Sequence, residues 1–412
     1  MKKVLALILA VLMVLSMVAC AQKTEAPKND TASTDAAAST TETTDTASTG
    51  ETAANETLKI GLCQPLTGSM ANSGLYSTHG VQLAIDEINE AGGLKVGDKT
   101  YTIELLSEDN EGKTDITINA VNKLISDGVV AIVGTNSSST SMAAGPIATS
   151  EKVVMVSTTG TNPDVTQVGG EYMFRSCWID SYQGYLAAKL AYETLGKRKA
   201  AILYNNADDY STGIMDFFVQ SFEEMGGETM TQAYAGAEIK DFKAQITAFK
   251  EWEPDVIFIE CQAAEIPLPV QQIRELGMDT QIIGAASWDN ELLSQLTPKE
   301  DLEGCVYVTT FCADSEEPMA KAFVEAYQAK WDGELPMNQA TMSYNAMKII
   351  AQALQDCGTV DDPEAFRDAM QNVNMELPNG HFEYDENRDP QISGVLMTYK
   401  DGVGVYYGEI KG

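Results

Sequence analysis

From Leu58 onward the chain alternates between two hydrophobic rhythms. Short apolar runs rich in branched residues, "LKIGLCQPL" (58–66), "YTIELLSED" (101–109), "VVAIVG" (129–134) and "VVMVS" (153–157), have the length and composition of buried strands. Between them the apolar residues return with a helical period. Val81, Ala84, Ile85 and Ile88 fall on one face, and Gly92 and Gly93 end that stretch. Ile118, Val121, Leu124 and Ile125 form the next apolar face. The order β-α-β-α-β predicts a parallel sheet with helices on both faces, an α/β fold.

The pattern then begins again. Strand-like "KAAILYNN" (199–206), "TMTQAYA" (229–235), "PDVIFIE" (254–260) and "QIIGAA" (281–286) alternate with helical "GIMDFFVQSFEEMGG" (213–227), "DFKAQITAFKEW" (241–252) and "EIPLPVQQIRELGM" (265–278). Two similar α/β units therefore stand in tandem, with a first crossing near Cys177–Ser181. After "GCVYVTT" (304–310) the period predicts helices over Pro318–Trp331 and Gln339–Gln355, and a third with Pro363 at its first position. The tail "VLMTYKDGVGVYY" (395–407) reads as a hairpin turning at Asp401-Gly402.

The first residues follow a different logic. "MKK" precedes an apolar run, "VLALILAVLMVLSMVA", which is short and flanked as in a signal peptide. Residues 1–19 are read as that leader. Cys20 follows Ala19 and resembles the cysteine of a bacterial lipobox, with Met17 where leucine is usual. That resemblance implies lipidation of Cys20 and anchoring to the outer face of the cell membrane; the alternative is plain secretion. Residues 20–56, dominated by Thr, Ser, Ala and Asp, lack the large apolar side chains that bury a core and read as a tether.

Composition removes several functions. In 412 residues, 27 Lys and Arg face 60 Asp and Glu, a formal net charge of -33. No basic face is available for nucleic acid. The two histidines, His79 and His381, cannot build a His-rich metal site, and no metal or cofactor is expected. HExxH, GxxxxGK[ST], CxxC and GxSxG are all absent. Cys63, Cys177, Cys261, Cys305, Cys312 and Cys357 show no paired spacing and read as buried free thiols.

"GTNSSSTSMAAGPI" (134–147) carries the candidate chemistry. Hydroxyls at a strand-to-helix junction act as nucleophiles, phosphate ligands, helix caps or a cup for a carboxylate. A nucleophile needs a nearby base, and neither histidine is well placed to be one; an enzyme is not expected. A nucleotide loop needs the missing Gly and Lys spacing. A cap and a carboxylate cup remain, and both roles fit one helix N-terminus near Ser139.

"LTGSMANSG" (66–74), "AIDEINEAGG" (84–93), "GTNSSST" (134–140), "MVSTTGTNP" (155–163), "FRSCWIDSYQG" (174–184) and "YNNADDYSTG" (204–213) stand in this order. Together they resemble the leucine/isoleucine/valine-binding receptors of ABC importers, a branch of the type I periplasmic binding proteins. The resemblance implies two lobes joined by a three-crossing hinge, with one small-molecule ligand held between them and ABC permease subunits as partners. By analogy lobe 1 is 57–178 plus 310–385 and lobe 2 is 179–309 plus 386–412.

Residue by residue, the resemblance implies that Ser138 holds a ligand carboxylate, with Ser137 beside it. Thr159 and Thr161 would contact the ligand, Tyr210 would cover it, and Ser73 and Gln262 would stand where aromatics are common. Tyr182 and Gln183 lie at the hinge side, where Asp180 and Gln183 also resemble a capping box. Ala286 occupies the position of an acid that normally pairs with the ligand's ammonium. Asp289, Glu260 and Glu265 are candidates to replace that charge; Asp289 alternatively caps a helix, and Trp288 either walls the cleft or packs in the core. The expected ligand is a branched-chain or other apolar amino acid. The alternatives are an amide, urea or aromatic acid in the same fold, or a sensor module.

Overall fold

A computed structural model of the protein describes residues 55–236 and 238–410. The expected signal peptide, Cys20 and nearly all of the tether lie outside the described residues. Among the described residues fifteen strands form two main sheets and a small hairpin.

The first sheet contains β1 (Glu56–Gln64), β2 (Leu94–Val96), β3 (Lys99–Asp109), β4 (Ala131–Gly134), β5 (Val154–Ser157) and β6 (Met173–Arg175), in the order β2-β3-β1-β4-β5-β6. All pairs are parallel except β2–β3. The inner strands β4 and β5 are buried at every position, which is why they read as unbroken apolar runs. Helix Ala71–Glu90 buries Val81, Ala84 and Ile85 as the period predicts. Helix Thr114–Ser126 departs from expectation at one position. Ile118 is 39 % exposed, and Thr117 faces inward instead. Thr117 can do so because its hydroxyl donates to the Lys113 carbonyl at 2.7 Å, leaving no buried polar group unmatched.

The second sheet contains β7 (Lys199–Asn205), β8 (Glu228–Tyr234), β9 (Val256–Ile259), β10 (Gln281–Gly284), β11 (Val306–Thr309), β14 (Gly394–Lys400) and β15 (Val403–Ile410). Its order is β15-β14-β11-β10-β9-β7-β8, parallel from β8 to β11, with β14 and β15 antiparallel at one edge. Asp401 and Gly402 both adopt positive φ, 52° and 83°, between β14 and β15. This is the turn that suits the right-handed twist of paired strands. β12 (Asn374–Leu377) and β13 (Gly380–Glu383) form a separate antiparallel hairpin that the apolar pattern did not indicate. The late helices run Pro318–Lys330, Asn338–Cys357 and Pro363–Gln371, and the second of these packs on helix Ala71–Glu90 of the first lobe.

The chain passes between lobes after β6, after β11 and before β14. Arg175, at the end of β6, is fully buried and ties the first of these passages to the last. Its Nε lies 2.8 Å from Asp389 Oδ1 on the segment leading to β14, and its terminal nitrogens donate to the Gly160 and Asn162 carbonyls at 3.0 Å. Thr166 Oγ1 completes the carboxylate's shell at 3.2 Å. Removing one partner of such a pair strands the other charge in a low-dielectric interior. Asp389→Ala is therefore expected to lower stability by about 3–5 kcal/mol in urea denaturation. The paired Arg175→Met/Asp389→Leu variant, which removes both charges, should lose less than the single change; equal losses would show that the ion pair is not the stabilising element.

Candidate functional site

Parallel sheets offer their carboxyl ends to ligands, because helix N-termini and strand-end loops converge there. Here the carboxyl ends of both sheets face one cavity lined by residues of both lobes. The first lobe contributes Met70 and Ser73 at the start of helix Ala71–Glu90, Asn136–Ser138 after β4, and Thr159 and Thr161 after β5. The second contributes Tyr210 after β7, Gln262 and Ala263 after β9, and Ala286 and Ser287 after β10. Cys177 and Trp178 line it at the first crossing. Thr310, Asn338 and Gln339 line it from beyond β11.

The hydroxyl-rich stretch is both cap and wall. Helix Ser138–Ser150 begins one residue earlier than expected. Ser137 is its N-cap, with its Oγ accepting from the Thr140 N–H at 3.4 Å. Thr135, Thr140, Ser141 and Ser157 interlink through hydroxyl pairs of 2.6–2.8 Å, so the turn is held rigidly. Ser138 is fully buried, and its Oγ accepts from the Asn162 N–H at 3.1 Å. Thr159 Oγ1 donates to the Asn136 carbonyl at 2.7 Å, joining the β4 and β5 loops. The first helical N–H groups lack partners within the helix, and its dipole places positive potential at this wall.

The second-lobe wall has the opposite sign. Glu260, at the end of β9, is 1 % exposed. Its Oε1 accepts from the Tyr210 hydroxyl at 2.5 Å and from the Ser287 N–H at 3.2 Å, and its Oε2 from the Ala285 N–H at 2.5 Å. Glu260 thus lies directly behind Ala286, the position where an acid was missing. Burial pushes its carboxyl up to about 7, against the lowering effect of the Tyr210 and backbone donors. Asp208 caps helix Asp209–Glu224 and accepts from Gln262 Nε2 at 2.9 Å; burial raises its pKa as well. Asp180, fully buried, accepts from Gln183 Nε2 at 2.6 Å, and burial pushes it up to about 7. It is the first residue of its helix, so the expected capping box is instead a side-chain pair. Among the described residues no lysine or arginine forms an ion pair with Asp208, Glu260 or Glu265.

Seven of the ten residues singled out as ligand contacts line this cavity: Ser73, Ser137, Ser138, Thr159, Thr161, Tyr210 and Gln262. Three do not. Tyr182 lines a separate cavity at the hinge with Trp178 and residues 389–393. Trp288 is fully buried; its indole N–H donates to the Ile259 carbonyl at 2.7 Å, and it stacks over Gly284 so closely that a Cβ there would meet Nε1 at 1.9 Å. It is a core residue. Asp289 turns away from the cavity. Its Oδ2 accepts from Thr309 Oγ1 and from the Asn338 N–H, both at 3.2 Å, and burial pushes its carboxyl up to about 7. It caps a first-lobe helix, so the compensating charge nearest Ala286 is Glu260. Asn338 and Gln339 are cavity residues that no local motif marks; only the fold brings them within reach.

The lobes also meet at the mouth of the cavity. Ser139 Oγ donates to Asp209 Oδ2 at 2.9 Å, Asn162 Nδ2 to the Asp209 carbonyl at 3.1 Å, and Asn72 Nδ2 to Glu291 Oε1 at 3.2 Å.

Comparison with known proteins agrees with this architecture. Residues 57–402 match the model of a family described as periplasmic binding protein. The leucine-, isoleucine-, valine-, threonine- and alanine-binding protein of Pseudomonas aeruginosa is 27% identical over 337 residues, covering 82% of this chain and 88% of its own. A leucine-binding protein from Thermotoga maritima superposes with a TM-score of 0.80 at 30% identity, covering 86% of this chain and 98% of its own. A branched-chain amino acid transporter substrate-binding protein from Streptococcus pneumoniae, solved with isoleucine, gives 0.80 at 29%, covering 87% and 100%. Two lobes, a cleft at the carboxyl ends of both sheets and a family match over most of its length make this chain a member of the periplasmic binding protein family, whose members are solute-binding receptors that work outside the cytoplasm.

Proposed function

We propose that this protein captures a small amino acid between its lobes and delivers it to the permease of an ABC importer, held at the membrane through lipidated Cys20. The observation that carries this reading is the opposition of charge across one cavity. A helix N-terminus with a buried hydroxyl, Ser138, stands on one side, and buried carboxylates without cations stand on the other. A zwitterion satisfies both walls. Its carboxylate accepts from Ser138 and the neighbouring N–H groups, with Thr161 at the same wall. Its ammonium meets the negative potential that Glu260 projects through Tyr210 and Ser287, so Ala286 does not abolish the ammonium site. The relatives' ligands set the size class, with branched-chain and other small neutral amino acids as the first candidates. The reaction is binding and closure: the ligand adds contacts to both lobes and so favours the closed form.

Calorimetric titration against the twenty amino acids tests this; absence of binding by every one of them sinks it. Ser138→Ala removes a hydrogen bond to a charged group, worth about 1.5–3 kcal/mol. It is expected to weaken amino-acid binding roughly tenfold to a hundredfold while leaving the melting temperature within a few degrees of the parent. An unchanged Kd would exclude Ser138 from the site.

The acids make stability and binding respond to pH in opposite directions. Glu260, Asp180 and Asp289 titrate near 7 in the folded protein and near 4 when unfolded. The folded state therefore holds more protons across this window, and ligand-free stability falls as pH rises from about 4 through 7. Each group contributes a slope approaching 1.4 kcal/mol per pH unit. Ammonium binding requires an ionised Glu260, so affinity should rise toward pH 8 and protons should be released at pH 6, measurable as a buffer-dependent heat. Glu260→Gln should flatten the stability slope and weaken ligand binding; an unaltered slope would remove Glu260 from this role.

A further inference from the structure

The cavity carries polar atoms that the zwitterion does not use and the protein does not satisfy. Asn136, 5 % exposed, has neither its Nδ2 nor its Oδ1 matched by a hydrogen-bond partner among the described residues. Gln339, 7 % exposed, has an unmatched Oε1. Both line the cavity. They come from different elements, the loop after β4 and the first turn of helix Asn338–Cys357. Thr161 Oγ1 is likewise unmatched, but it stands at the wall assigned to the carboxylate; of the other neighbours, Thr310 Oγ1 donates to Asn338 Oδ1 at 2.6 Å, and Gln262 is engaged by Asp208.

A buried donor or acceptor left unpaired penalises any ligand that covers it with a methyl group. A site built from such groups discriminates far more sharply than an apolar one, because the wrong ligand leaves the site's own atoms unsatisfied. Met70, Trp178 and Ala263 accept the aliphatic part of a side chain, but the orphan amides need a partner. We infer that Asn136 and Gln339 select a small neutral amino acid whose side chain carries a hydroxyl or a carboxamide over the branched-chain amino acid of matching shape. This rests on the zwitterion reading above and narrows it.

The test titrates the full chain by calorimetry with two matched pairs, threonine against valine and asparagine against leucine, and with alanine as a zwitterion bearing neither side-chain type. Threonine and asparagine are expected to bind at least about tenfold more tightly than their partners. Valine and leucine binding as tightly as, or more tightly than, threonine and asparagine overturns the selectivity while leaving the zwitterion site standing. No binding by any of the five, alanine included, overturns the zwitterion reading and the selectivity with it. Asn136→Leu and Gln339→Leu should each reduce the threonine-to-valine preference by about tenfold, with the melting temperature reporting an intact fold. Preferences equal to the parent's in both variants also overturn the assignment.

Discussion

A carboxylate taken out of water without a cation is among the most unfavourable groups a protein can hold, and the second lobe is organised around one. Glu260 survives burial because three donors converge on it: the Tyr210 hydroxyl and the backbone N–H groups of Ala285 and Ser287. Those donors fix the loops after β7 and β10 as firmly as any packing contact. The same arrangement that makes the acid tolerable thus shapes the wall that faces the ligand. Because the neutralising charge is not supplied by the protein, it is left for whatever enters the cleft.

The two walls act at a distance from each other and need a mechanism that brings them together. The contacts across the mouth are small polar pairs such as Ser139 with Asp209 and Asn72 with Glu291. Each exchanges readily with water and contributes modestly, so the closed form is not locked by its own rim. A ligand that contacts both walls at once would therefore weight the equilibrium more than the rim does. The hinge supplies the opposite quality. Arg175 and Asp389 tie together passages from two parts of the chain with fully desolvated charges, keeping the crossing segments in register while the lobes move.

The hydrophobic rhythm made the tandem α/β units legible, because inner strands such as β4 and β5 are buried on both faces and helix Ala71–Glu90 on one. Short elements escaped it. β2 and β6 each span three residues, too few for any period. The helix cap in the Ser137–Thr140 stretch was legible because capping is local chemistry. Asp289 and Trp288 were undecided on sequence because their roles depend on what lies above them in space: an N–H from residue 338 and a carbonyl from residue 259. Glu260 could be nominated but not chosen, since the turn it supports is twenty-five residues away. Gln339 had no signal at all; only the return of the late helix to the first lobe brings it to the cleft.

The antiparallel edge of the second sheet has a consequence for biogenesis. β14 separates β11 from the sheet edge, and β14 and β15 are the last strands among the described residues. A polypeptide that emerges N-terminus first can assemble β7 to β11 from contiguous sequence, but it then presents β11 as a bare edge while about eighty further residues are delivered. Unpaired edges invite pairing with other chains. The first lobe meets the same interruption, because helix Asn338–Cys357 covers helix Ala71–Glu90 only near the end. The first lobe is therefore completed only after all of β7 to β11 has been made, and the second only by the last strands, β14 and β15, so both sheets keep an uncovered surface until late in the delivery of the chain.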